Sequence, residues 1–110
     1  MTPRLTSDFW VRAYLRRLQL VDIPAFITEK GDATAGAVIV KLNTLDGNAK
    51  AFHRSYDLDG NRVWAVLAEG AERDVDASLT KQRSFDPDIW VIEVESRDGR
   101  HLLDEDGLSG

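Results

Sequence analysis

The densest group of side chains capable of chemistry lies between Arg83 and Arg100. Asp86, Asp88, Glu93 and Glu95 supply four carboxylates there, with Arg83, Arg97 and Arg100 close by. Oxygen ligands of this kind suit a hard divalent cation. A structural role fits the same residues. Asp86 and Asp88 bracket Pro87 in a turn, Glu93 and Glu95 fall on the solvated face of a strand, and the arginines pair with them. Ion-pair networks of that sort are common, and the structural role is the stronger expectation. A restriction-nuclease-like site combines an acidic residue with Glu-x-Lys on a neighbouring strand. Here the tripeptide is Glu93-Val94-Glu95, without the lysine that would stabilise developing charge, and Asp88 stands on the same strand. That chemistry is set aside.

Other constellations are weaker. Asp57-Leu58-Asp59-Gly60-Asn61 has the look of a calcium loop, but Arg62 and Ala68 stand where an EF-hand needs its glycine and its glutamate. It reads as a hairpin turn. His53 and His101 lack metal-ligand spacing. There is no nucleophile elbow, no Walker pattern and no Gly-x-Gly-x-x-Gly. Trp10, Trp64 and Trp90 each fall on an apolar face and are expected in the core, while an exposed one would anchor an interface. Arg12, Arg16 and Arg17 could hold an acidic partner or RNA phosphate, although such a run is more often a solvated helix surface.

Composition narrows the classes. The chain has 110 residues, 43% hydrophobic and 30% charged, which is about one globular domain with its own core. It has no cysteine, which excludes disulfides and thiolate chemistry and favours a reducing compartment. No stretch approaches the ~20 apolar residues of a membrane span, and the start lacks a signal-peptide core, so a cytoplasmic protein is expected. A net charge of −5 argues against binding duplex nucleic acid. The charge is uneven. Residues 1–21 carry four arginines against one aspartate, and residues 85–106 carry eight carboxylates against two arginines. The two ends are complementary, within one fold or between two copies.

The elements that must position these groups follow from periodicity. Thr6 or Ser7 caps a helix in which Trp10, Val11, Tyr14, Leu15, Leu18 and Val21 recur at three- and four-residue steps, ended by Asp22 and Pro24. Residues 25–29 form a short strand, and residues 37–42 a β-branched, mostly buried one. Leu45-Asp46-Gly47-Asn48 recurs as Leu58-Asp59-Gly60-Asn61, each a hairpin signal, so residues 49–56 and 62–67 become strands. A single long helix from Trp64 to Leu79 also fits the spacing. The cost of Gly70 inside it, about 1 kcal/mol, favours a strand, a break and a helix over residues 72–83. Residues 89–95 alternate, with Trp90, Ile92 and Val94 on one face. The result is an α+β fold: helix, four-strand meander, helix, strand, in a mainly antiparallel sheet of about five strands with two helices packed on one face. Residues 1–103 make the domain, and residues 104–110 an acidic, frayed tail.

Several of these motifs occur together in one known family. Leu5-Thr6-Ser7-Asp8-Phe9-Trp10-Val11 with Arg16-Arg17, Ala35-Gly36-Ala37 with Lys41, and Leu45-Asp46-Gly47 resemble the bacterial family known as domain of unknown function 1491. The closing run from Phe85-Asp86-Pro87-Asp88 through Glu95, then Arg97-Asp98-Gly99-Arg100, resembles it most specifically. The resemblance implies a small bacterial intracellular protein and brings no catalytic residues. The expected function is a non-enzymatic protein-binding or adaptor domain, with homodimerisation as one mode, in which the basic first helix meets the acidic final strand of another copy. Candidate binding residues are Arg12, Arg16, Arg17, Arg83, Asp86, Asp88, Glu93, Glu95 and Arg97. No catalytic residue, metal ligand or cofactor is assigned. The alternative is a metal-dependent enzyme using Asp86, Asp88, Glu93 and Glu95.

Overall fold

In the computed structural model, which describes residues 5–108, α1 (Ser7–Leu20) begins where its cap predicts. Thr6 has extended angles, its hydroxyl accepts a hydrogen bond from Phe9 N–H at 3.2 Å, and Asp8 sits at the positive end of the helix dipole. Val11, Tyr14 and Leu18 form the buried stripe. Asp22, at φ 59°, turns the chain into β1 (Ala25–Glu29). Then come β2 (Val38–Asn43), β3 (Asn48–Tyr56), β4 (Arg62–Ala71), α2 (Glu72–Phe85) and β5 (Trp90–Glu95). The single long helix does not form. β4 runs through Gly70, whose φ of 135° only glycine adopts easily, and α2 starts at once with Glu72.

The sheet order is β1-β5-β2-β3-β4, mostly antiparallel with one parallel pair. This departs from the expected four-strand meander. Only β2, β3 and β4 follow one another across the sheet, and β5 inserts between β1 and β2. It runs antiparallel to β1 and parallel to β2, with Val40 beside Ile92. The reason is visible in β5 itself. Trp90, Val91 and Ile92 are consecutive and all buried, as in a strand covered on both faces.

Both faces are indeed covered, which corrects the expectation that the helices share one side. Val11, Tyr14 and Leu18 of α1 pack with Val40, Leu42, Trp90, Ile92 and Val94. Val75 and Leu79 of α2 pack with Ile39, Ala49, Ala51, Ile89 and Val91 on the opposite face. Alternation along β2 and β5 sends neighbouring residues to different helices. The two hairpins form where expected, with longer loops than a two-residue Asp-Gly turn. Asn43 Oδ1 accepts from Leu45 N–H at 2.8 Å in the first. Asp57 Oδ1 accepts from Asp59 and Asn61 N–H, each at 2.9 Å, in the second.

The segment after β5 packs on the α1 side through Leu102, Leu103 and Leu108. Composition suggests a frayed end from residue 104, yet Leu108 is 2% exposed. Its carbonyl accepts from Trp64 Nε1 at 2.8 Å and from Arg54 at 3.0 Å. Residues 109 and 110 lie outside the described part.

Candidate functional site

The acidic segment is divided by the fold. Asp86 is the C-cap of α2, and its carboxylate accepts from Asp88 N–H at 3.1 Å. The Asp88 carbonyl accepts from Asp32 N–H at 3.0 Å, and Gly31 and Gly36 pack against it so closely that a Cβ on either would overlap it. Glu93 points to the α2 side, while Glu95 is half-buried near the end of β5. Among the described residues, no group of three or more histidines or carboxylates is placed to hold a metal ion. The metal-dependent alternative loses its constellation.

The candidate arginines serve local ends. Arg83 clips the end of α2 to the sheet, donating to Ile89 O at 3.0 Å, Pro87 O at 2.8 Å and Glu29 at 3.1 Å. Arg17 reaches Glu105 at 3.3 Å and Asp106 O at 2.8 Å, so part of the charge complementarity closes within one chain. Arg12 pairs with Asp8 one helical turn away, and Arg16 donates to Gln19. Arg97 lies exposed in the turn after β5. β5 is interior, so its backbone is paired with β1 on one side and β2 on the other.

What sequence reasoning missed is the group around Lys41. This lysine is 5% exposed, and its ammonium lies 2.7 Å from Glu72, 2.7 Å from Asp76 and 3.1 Å from Glu93. Asn43 Nδ2 donates to Glu72 at 3.1 Å and to Glu93 at 3.4 Å. Burial alone would lower the lysine pKa. Hydrogen bonds to Asp76, Glu72 and Glu93 outweigh it, and the pKa stands above its ordinary value. Lys41 is in register with Glu93 on the neighbouring strand, so the lysine absent from Glu93-Val94-Glu95 is supplied by β2. With three carboxylates around it, the ammonium is committed to holding α2 on the sheet rather than to a substrate. The available signal was a lysine within a buried apolar strand, together with two carboxylates one turn apart on α2.

A second feature is a cleft of about 800 Å³. β2 and β3 pair only as far as Val40 and Phe52, while β3 and β4 continue together to Tyr56 and Arg62. The hairpin therefore runs past the start of β2 and leaves a gap beside the segment joining β1 to β2. Trp10 and Trp64 meet there at 5.5 Å between ring centroids, and the Arg54 guanidinium lies 4.2 Å from the Trp64 centroid. Burial, and then the charge of Arg62, lower the Arg54 pKa to about 10. Trp10 Nε1 is buried and, among the described residues, without a hydrogen-bond partner. A shallower groove, between α1 and the start of β1, is lined by Arg12 and Arg16.

The third feature is the outer edge of β4. At ten residues it is the longest strand among the described residues, and among them it pairs with β3 alone. Val66 near its middle is 48% exposed, and Tyr56 on β3 is also exposed. Register shifts between Ala51 and Phe52 leave Leu67 as a bulge, which adds local twist.

Fold and site together describe a small α+β domain with a cleft beside the β3–β4 hairpin and β4 at one edge of the sheet. The chain belongs to the family described as "Protein of unknown function (DUF1491)", whose model matches residues 5–104. The crystal structure of a DUF1491 family protein from Caulobacter crescentus CB15 is 43% identical. The match covers 93% of this chain and 97% of that one, with a TM-score of 0.83. An NMR structure of a DUF1491 family protein from the same organism is 42% identical, covering 94% and 96%, with a TM-score of 0.79. The solution structure of protein Atu0922 from A. tumefaciens is 27% identical, covering 86% and 87%, with a TM-score of 0.72. No curated protein matches the chain.

Proposed function

We propose that the chain is a non-enzymatic protein-binding domain of the bacterial cytoplasm that pairs with a second copy along β4. The single observation that carries this reading is the open edge of that ten-residue strand. Such an edge presents a row of backbone donors and acceptors that another strand can satisfy. Its ends favour a second copy. Arg62 stands at the start and Glu69 near the finish, so an antiparallel two-fold pairing brings opposite charges together at both ends. Bacterial relatives and a cysteine-free composition support the compartment.

Sedimentation across a range of concentrations tests the proposal. Wild type is expected to shift towards a dimer as concentration rises, and Val66→Lys to remain a monomer with unchanged thermal stability. A wild type that stays monomeric throughout, or a Val66→Lys variant that dimerises equally well, overturns it.

A further inference from the structure

We infer that residues 101–103 form a latch on the α1 side of the sheet, opened by a single proton on the His101 ring. Mild acid lifts this stretch from Phe52 and Tyr14 while the strands, both helices and the far end of the described chain stay in place. The latch is separate from the β4 edge and does not depend on pairing there.

The segment after β5 lies on the core without being a helix or a strand, so side chains fasten it. At its start the His101 ring lies 4.8 Å from the Phe52 ring, and the His101 carbonyl accepts from the Tyr14 hydroxyl at 2.8 Å. His101 Nδ1 accepts from Leu103 N–H at 3.0 Å. Further on, Arg17 donates to Asp106 O at 2.8 Å and pairs with Glu105 at 3.3 Å. At the far end Leu108 O accepts from Trp64 Nε1 at 2.8 Å and from Arg54 at 3.0 Å. These later clips keep their form near neutral pH, since arginine stays charged and an indole N–H does not titrate. The hold at His101 does not.

Nδ1 accepts from Leu103 N–H only while it keeps its lone pair. In the imidazolium both ring nitrogens are donors, so a donor then faces a donor. Leu103 is 2% exposed, and a buried amide left without an acceptor is costly. The same bond spans Leu102, whose φ of 64° is the left-handed conformation that a Cβ makes unfavourable. Once the bond is lost, Leu102 relaxes to ordinary angles and leaves the core with Leu103. The charges around the ring decide where this happens. Burial opposes a proton on it most, Lys50 of β3 opposes it too, and Asp104 next to the latch favours it. Lys50 itself pairs with Glu69 of β4 at 3.4 Å. From α1, Tyr14 stays neutral because burial raises its pKa, and the charge of Arg17 is paired with Glu105. The closed ring therefore titrates below the ordinary 6.5, and the lifted ring regains that value. Between the two values the opening equilibrium grows about tenfold for each unit of falling pH.

The test is amide hydrogen exchange of the full chain between about pH 7 and about pH 5, corrected for the intrinsic pH dependence of exchange. The His101 ring is titrated by NMR alongside. Protection of Leu103 N–H is expected to fall at least about tenfold, with a midpoint that follows the ring. Protection at Val40, Ile92 and the Trp64 indole N–H is expected to hold. His101→Asn, which keeps an acceptor without titrating, is expected to retain Leu103 protection across the range. His53→Asn, at the other histidine of the chain, is expected to lose it as wild type does. Should His101→Asn fail to fold, the agreement of the two midpoints in wild type and in His53→Asn decides the matter. The inference is overturned if Leu103 protection does not change with pH, if it falls equally in His101→Asn, or if its midpoint departs from that of the ring. Loss of protection by the same factor at Val40 and Ile92 also overturns it, because the whole fold then opens rather than the latch.

Discussion

At the scale of single residues, Lys41 links the two layers of the fold most directly. Its side chain is 6% exposed, Glu93 is 13% exposed, and Glu72 and Asp76 are 37% and 51% exposed. Removing the ammonium leaves Glu93 as a mostly buried charge with, among the described residues, Asn43 to satisfy it. Lys41→Met is therefore expected to cost about 2–4 kcal/mol, below the full penalty for a wholly buried pair because Glu72 and Asp76 can rehydrate. Urea unfolding measures this, and adding Glu93→Gln to Lys41→Met should recover part of the loss. A single variant within about 0.5 kcal/mol of wild type would show that the group carries no stability. The residue type and its apolar surroundings were legible in the sequence. Its three partners come from α2 and β5, and no local pattern could bring them to one point.

At the scale of elements, the first helix, the β3–β4 hairpin and the start of α2 were readable, because capping, alternation and glycine punctuation are local. The segment after β5 was not. Its acidic composition suggests fraying, whereas its leucines and backbone carbonyls are held by groups far away in sequence. His101 shows how. Its ring lies 4.8 Å from Phe52, its carbonyl accepts from the Tyr14 hydroxyl, and its Nδ1 accepts from Leu103 N–H at 3.0 Å. An accepting Nδ1 requires the neutral ring. Burial lowers the His101 pKa first, with Lys50 also lowering it and Asp104 opposing. A folded pKa below the unfolded value of 6.5 means that the unfolded chain takes up the proton more readily. Stability from this group is fully present above that value and is lost as pH falls through the folded pKa. Thermal unfolding between about pH 7 and pH 5 should therefore show a declining midpoint, flattened in His101→Asn, which keeps an acceptor without titrating. Equal slopes in the two proteins would count against a role for His101.

At the scale of the whole molecule, the insertion of β5 between β1 and β2 decides most of the architecture. It buries the strand on both faces, places α1 and α2 on opposite sides, and leaves β4 and β1 as the edges. Amide exchange should then be slowest across Trp90–Glu95 and its neighbour Val38–Asn43, and faster in β4, whose outer groups face solvent. Fast exchange in β5 would contradict a central position. The sequence by itself determined the elements, their order, the class α+β, the family, and the absence of thiol chemistry, since each depends on composition or on spacing within one segment. Tertiary structure alone decided which strands are neighbours, which face each helix covers, and which charges meet. The acidic run that looked most like a site is split because Asp86 and Asp88 belong to the turn between α2 and β5, whereas Glu93 is engaged further along β5 by Lys41 of β2. The cleft exists because β3 and β4 outrun β2, a difference in length that becomes a cavity only when the strands lie side by side.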